Sequence, residues 1–419
     1  MTLSLFDLDR KEISRSPFLD GENIQNVAKT LIESATSFLF LNDQLPINRR
    51  NQIWIQLQAC IAKKSYFESP CFLVPTSGTT SSDLKVVIVK KVNFLNAARK
   101  VNLFLNSTME DSWLVSLPLH HVGGLSILAR SFLETNKVFY FSKWQPDSFI
   151  KTLNDLDIAF CSLVPTQVFD LADKRVPAQL ALKRVLVGGS ALADSRFAIM
   201  RDLGWPLVKT YGMTETSAFI CTSSGGDVYE PLPGIDFMLD SAGLLAFCCD
   251  SLFEGYLRQQ ADQWTFKPTE LKNGFWSTED RAIVPEMAGS GSNGFKLLGR
   301  DQNMIKINGE LVNLTLLNDR LSELVQAGHL PAGSVWIHFV PSERAENELV
   351  AVFSEIQTEV IQKTVIQKFN QLVLPFERIN WYVKVPEISR TEMGKVRLSV
   401  FNSESFKESY FENRKNILD

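Results

Sequence analysis

From residue 71 to residue 211, short β-branched and aromatic runs alternate with stretches of helical apolar spacing. The runs are 71–74, 85–90, 113–117, 137–141, 158–163, 184–187 and 207–210. The helical stretches are 92–106, 124–134, 146–154, 166–174 and 192–202. This alternation predicts an α/β domain with a largely parallel sheet flanked by helices. In such sheets ligands gather at loops beyond the carboxyl ends of the strands. The loops therefore deserve the closest reading.

The rest of the chain sets the frame. With 419 residues it is too long for one ordinary core, so two or three domains are expected. Residues 1–70 read as a helical scaffold, with apolar stripes over 26–41 and 52–63 that would bury the first strand. Over 226–290 Gly, Asp and Pro punctuate short runs such as 235–239 and 243–248, predicting a small antiparallel β subdomain. The turn-prone stretch Gly299-Arg300-Asp301-Gln302-Asn303 marks a boundary, giving domains 1–300 and 301–419. Beyond it, helices 314–326 and 358–372 alternate with strands 334–340, 348–354 and 379–384, an α+β pattern.

Composition excludes several classes. A net charge of −4 gives no electrostatic case for nucleic acid. Six cysteines without a C-x-x-C pair read as thiols of a reducing cytoplasm. The charged start (Asp7, Asp9, Arg10, Lys11, Glu12) does not read as a secretory signal, and no apolar run approaches bilayer length. A homodimer is one assembly the chain could form; oligomeric state is not written in the sequence.

The first loop reads Pro75-Thr76-Ser77-Gly78-Thr79-Thr80-Ser81-Ser82-Asp83-Leu84-Lys85. Its amides, the hydroxyls of Thr76, Ser77, Thr79 and Thr80, and the Lys85 ammonium can converge on an anion, with phosphate the obvious guest. It is not a Walker A loop, and a plain connector has the same composition. After 113–117 come His120 and His121, then Gly123 and Gly124. Neighbours on extended chain point to opposite faces, so a pocket wall or gate fits better than a metal pair, with a structural role left open. Thr166 and Gln167 follow the next run, where Pro165 can also simply start a helix. Gly188-Gly189-Ser190 permits close backbone approach to a flat ligand.

Tyr211-Gly212-Met213-Thr214-Glu215-Thr216-Ser217 supplies an aromatic that can stack, a carboxylate suited to Mg2+ and a hydroxyl for a phosphate oxygen. A turn with a solvated glutamate is the plain alternative. Asp280, after Ser277-Thr278-Glu279, can take both hydroxyls of a ribose, or can be a charged hairpin position. Near the end, Ser389-Arg390-Thr391-Glu392-Met393-Gly394-Lys395-Val396-Arg397 is a glycine-bearing loop with three cations.

Taken in order, these stretches resemble the serial motifs of the adenylate-forming superfamily, which includes acyl- and aryl-CoA ligases, luciferases and peptide-synthetase adenylation domains. The resemblance covers residues 71–400. Within it, Leu117-Pro118-Leu119-His120-His121-Val122-Gly123-Gly124 and Ser162-Leu163-Val164-Pro165-Thr166-Gln167 look like the o-succinylbenzoate–CoA ligases of menaquinone biosynthesis. The implied fold is a large N-terminal domain of mainly parallel sheets flanked by helices, with a small antiparallel β subdomain, and a small mobile α+β C-terminal domain. The implied chemistry joins a small aromatic carboxylic acid to CoA through an acyl-adenylate, using ATP and Mg2+. Other readings are an aryl or fatty acid adenylating enzyme that loads CoA or a carrier protein, and a nucleotide-binding relative that has lost catalysis.

By position, the resemblance gives Lys395 the catalytic role, bridging carboxylate and α-phosphate. Residues 76–80 and Lys85 would hold the β- and γ-phosphates, Gly189 and Tyr211 the adenine, and Thr214 the α-phosphate, with Gly212 also in the ATP site. Glu215 would hold the metal, and Asp280 and Arg300 the ribose. His121, Thr166, Ser190 and Ser217 would line the acyl pocket, and Gly309 the CoA tunnel. Ser81 to Leu84 replace the family's usual Gly-x-Pro, which implies a looser placement of Lys85. Gln302 stands at the usual hinge position.

Overall fold

A computed structural model describes residues 3–6, 18–19, 21–42, 45–63, 69–76, 84–141, 143–189, 192, 194–224, 226–260, 263–285, 294–299, 304–327, 334–354, 358–388, 406, 410 and 413–417. The chain divides into two units, Met1–Asp301 and Gln302–Asp419.

The first unit is α/β and holds two sheets. Among the described residues one sheet has six strands, in the order Leu3–Phe6, Ser37–Phe40, Cys71–Pro75, Lys85–Lys90, Gly255–Gln260 and Gln263–Pro268. Its first three strands are parallel and the rest antiparallel. In the larger sheet, strands Leu207–Met213, Arg184–Val187, Phe160–Leu163, Ser112–Val115 and Lys137–Phe141 are neighbours in that order, all parallel. Helices Pro146–Asp155, Pro165–Lys174 and Asp194–Asp202 cover one face, and Lys91–Leu105 and Val122–Glu134 the other.

The two-residue alternation of a strand explains this double covering. Trp113 and Val115 enter the core that also holds Phe94, Val101 and Leu125. Leu114 between them enters a second core with Phe149, Val168 and Met200. The first core reaches the other sheet through Phe40 and Phe72, where edge-on rings continue to Phe94.

Three sequence expectations change in detail. The stripe over 26–41 divides into helix Gly21–Glu33 and strand Ser37–Phe40, because Ser37-Phe38-Leu39-Phe40 finds a parallel partner in Leu3–Phe6. The run 207–210 extends to Met213, since hairpin pairing with Ala218–Ser223 continues the ladder. The antiparallel region splits. Strands Asp236–Leu239, Leu244–Cys248, Trp276–Ile283 and Phe295–Gly299 extend the large sheet by way of Val228–Pro231, while Gly255–Gln260 and Gln263–Pro268 join the six-stranded one.

The second unit is α+β. Strands Val335–Ser342, Glu346–Ser354, Trp381–Val385 and Lys415–Asn416 form one sheet, with helices Leu314–Ala327 and Glu359–Leu372 packed through Leu321, Ile337, Phe353 and Phe369. Asn318 joins helix to sheet: its amide donates to the Leu314 and Ile337 carbonyls and accepts from Ile337 N–H at 2.7 Å. A hairpin of Met304–Ile307 and Glu310–Asn313 turns at Asn308 and Gly309, whose φ of 53° and 82° fit a primed two-residue turn.

Candidate active site

Strand Lys85–Lys90 runs between two antiparallel neighbours, Cys71–Pro75 and Gly255–Gln260. Thr76 N–H donates to the Lys85 carbonyl at 3.0 Å, and the Thr76 hydroxyl does so at 3.4 Å. Thr76 and Lys85 thus close the neck of the hydroxyl loop. Ser77, Gly78, Thr79 and Thr80 lie outside the described residues. The Lys85 backbone pairs with Arg258 on one side and bonds to Thr76 on the other, while Ser81, Ser82 and Asp83 lie outside the described residues.

The Lys85 side chain ends in a compact polar cluster. Its Nζ lies 3.1 Å from Glu215 Oε1. The Tyr256 hydroxyl donates to the same oxygen at 3.0 Å. Lys85 Nζ also lies 4.2 Å from the centre of the Tyr256 ring. Glu215 is buried in the one-turn helix Thr214–Thr216, which its carbonyl ties to Phe253 N–H at 2.9 Å. The Thr216 hydroxyl closes the turn by accepting from Met213 N–H and donating to the Ala218 carbonyl. Both side-chain donors converge on Oε1, so Oε2 takes no hydrogen bond from a described residue. Burial, and then the Glu215 charge, push the Tyr256 phenol well above its ordinary pKa, so it remains a donor.

Tyr211 and Asp280, read separately in the sequence, meet. The buried Tyr211 hydroxyl donates to Asp280 Oδ2 at 2.7 Å. Asp280 lies within strand Trp276–Ile283, and the Tyr211 ring packs among Tyr229, Phe247 and Phe295. Gly212 has to be glycine for a packing reason: a Cβ there would run into the Ala218 carbonyl and Phe219 Cα. Gly189 adopts φ of 89°, the left-handed region, directly after strand Arg184–Val187. Thr214 is half-buried, and its hydroxyl has no partner among the described residues.

The expected acyl-pocket residues separate. His120 and His121 do not face opposite ways; their rings lie 4.3 Å apart. The chain turns there, with His121 N–H bonded to the Pro118 carbonyl, so the alternation of extended chain does not apply. Burial, then the neighbouring His121 and Arg50 charges, pull His120 down to about 2, so it is neutral. Gln167 accepts from Val164 N–H and donates to the Ser116 carbonyl, pinning two strand ends. Thr166 is buried beside it. Ser217 is fully buried and donates to the Ser251 carbonyl at 2.6 Å, so here its hydroxyl serves the fold. In the second unit Gly309 N–H donates to Glu346 Oε1. Ser190, Arg300 and Lys395 lie outside the described residues.

Two residues escaped the sequence reading. Tyr256 gave no signal, because only pairing of distant strands brings it to Lys85. Arg130 did give one, as the single charge in the apolar stretch Leu125 to Leu133. It is fully buried in helix Val122–Glu134, with Nη2 on the Ser126 hydroxyl at 3.0 Å. Its guanidinium lies 5.0 Å from the Phe219 ring and 5.4 Å from the Trp113 ring. Nε and Nη1 have no hydrogen-bond partner among the described residues. Burial pulls its pKa down to about 9, which leaves it charged at neutral pH.

No cluster of three His, Cys, Asp or Glu side chains able to hold a metal occurs among the described residues. Glu215 is instead a single hard oxygen donor, which suits Mg2+ shared with phosphate oxygens. No described helix is long and apolar enough to cross a membrane.

A family model described as AMP-binding enzyme matches residues 14–251. A 2-succinylbenzoate–CoA ligase of Lactococcus lactis subsp. lactis is 29% identical over 205 residues, 46% of this chain and 44% of the relative. One from Bacillus cereus is 30% identical over 208 residues, 49% of this chain and 40% of the relative. The matched stretch thus spans less than half the length of these curated relatives. Among solved structures, o-succinylbenzoate CoA synthetase from Bacillus subtilis with a product analogue superposes with TM-score 0.72 at 15% identity, over 99% of this chain and 88% of that one. The same enzyme with ATP and magnesium gives 0.57 at 16% identity, over 94% and 87%. At these identities the likeness is one of fold.

Proposed function

The chain belongs to the AMP-binding enzyme family, and from that premise we propose that it is an ATP-dependent acid–CoA ligase whose acid is o-succinylbenzoate. In the first half-reaction a carboxylate oxygen attacks the α-phosphorus of ATP, giving acyl-AMP and pyrophosphate. In the second the CoA thiol, losing its proton, attacks the acyl carbon and AMP leaves. Both steps bring anions together, so the site has to place cations and donors in advance.

The observation that carries this reading is the convergence of Lys85 on Glu215 beside the Thr214 hydroxyl, which has no partner among the described residues. A cation, a carboxylate with one oxygen to spare and a hydroxyl are what a magnesium triphosphate needs. When bound at Glu215, Mg2+ neutralises charge on the triphosphate. Lys85 turns to a phosphate oxygen and Thr214 donates to the α-phosphate. Asp280, oriented by the Tyr211 hydroxyl, accepts from the ribose diol. Lys395 bridges the incoming carboxylate and the α-phosphate.

The choice of acid rests on the names of the relatives and on Arg130. A fully buried guanidinium with two nitrogens unpartnered among the described residues calls for an anion. The second carboxylate of a succinyl side chain supplies one, with the bidentate geometry arginine favours. ATP–pyrophosphate exchange over a panel of aromatic, succinyl-aromatic and fatty acids tests both levels. Exchange strongest with o-succinylbenzoate is expected. Exchange only with monocarboxylic acids would remove the finer assignment, and no exchange with any acid would remove the ligase.

A further inference from the structure

Tyr256 touches the phosphate-loop lysine and the metal-site carboxylate at once. In the register of strand Gly255–Gln260 it lies opposite Val87, and Arg258 lies opposite Lys85. Residues two apart on a strand share a face, so Tyr256 and Arg258 meet Lys85 on one side of the sheet. The ring is backed by Phe253 at 4.6 Å, and the Arg258 guanidinium lies 5.3 Å from its centre. Its hydroxyl and the Lys85 ammonium compete for one Glu215 oxygen and leave the other open. An aromatic face also holds a cation without binding it through a directional bond, so the ammonium can swing over the ring and keep its attraction.

Building on the ligase reading, we propose that Tyr256 is a positioning residue for the magnesium–triphosphate site. Its hydroxyl fixes Glu215 by Oε1 and so leaves Oε2 for the metal. Its ring carries Lys85 as the ammonium passes from Glu215 to a phosphate oxygen. When Lys85 leaves, the phenol becomes the remaining described donor that orients the carboxylate.

Calorimetric titration of the full chain with ATP, once with excess magnesium and once with EDTA, separates the two roles. Tyr256→Phe keeps the ring and loses the hydroxyl. Magnesium-ATP is expected to bind about tenfold more weakly, the scale of one hydrogen bond to a charged group. Metal-free ATP should bind as to the wild type, which also controls for folding. Tyr256→Leu removes the ring as well and should weaken metal-free ATP too. Wild-type magnesium-ATP affinity in Tyr256→Phe, or equal losses with and without metal, would overturn the positioning role alone. A wild-type chain that binds neither form of ATP would overturn the ligase reading and this proposal with it.

Discussion

At the scale of single residues, Arg130 and His120 make opposite demands on their surroundings. Arg130 keeps its charge in a fully buried position and receives, among the described residues, one hydroxyl and two aromatic faces in return. Arg130→Met should leave stability unchanged or raise it by about 1–4 kcal/mol, as is usual when a poorly compensated buried charge becomes apolar. Urea denaturation reads that. The same variant should lower kcat/KM for a succinyl-aryl acid by about 10–100-fold, the loss of a charged hydrogen-bonded contact, and spare aromatic monocarboxylic acids. His120 instead gives up its charge. Its folded pKa is depressed, so its contribution to stability is full above the unfolded value of about 6.5 and is lost as pH falls toward about 2. His120→Asn should therefore lose less stability than wild type between pH 7 and pH 5, measured by urea melts at each pH.

At the scale of elements, the site is made where strands end or turn back. Strand Leu207–Met213 carries Tyr211 and Gly212, shifts register between them and folds directly into the turn that presents Glu215. The returning strand passes so close to Gly212 that no Cβ fits. Gly212→Ala should cost about 1–3 kcal/mol, the range for forced overpacking, and should weaken ATP binding with it, because Glu215 follows the same strand directly and Asp280 is held by Tyr211 on it. Thermal melts and nucleotide titration check the two parts. The alternation of runs and helical stretches was legible here almost strand for strand. Buried parallel strands read as continuous apolar runs, and Gly, Pro and hydroxyl residues punctuate them. What failed were local geometries. The alternation of extended chain puts adjacent histidines on opposite faces, but the chain turns at His120 and His121, and Tyr211 lies inside a strand that the apolar run alone ends at residue 210.

At the scale of the whole molecule, the proposed roles fall on both units, with Glu215, Lys85 and Asp280 in the sequence of the first and Lys395 in that of the second. If Lys395 serves adenylation alone, Lys395→Ala should lower acyl-AMP formation by several powers of ten, while thioester formation from supplied acyl-AMP largely survives. Single-turnover assays of each half-reaction read this, and equal loss in both would assign Lys395 another role.

The sequence by itself determined the doubly covered α/β sheet, the α+β character of the C-terminal unit, and which loops carry polar chemistry. Those follow from periodicity and from residues such as Gly189, whose backbone state few other residues adopt. Only the tertiary structure decided which of those residues meet. Lys85 and Glu215 are 130 positions apart and Tyr211 and Asp280 are 69 apart. Neither pair sits on strands that are hydrogen-bonded to each other, so packing beyond the ladders is what closes both gaps. The structure also decided that Tyr256 touches both lysine and carboxylate, and that Arg130 is fully buried with no acidic partner among the described residues. Burial and partnership belong to the packed chain, and no pattern along the sequence encodes a contact between strands that distant segments bring together.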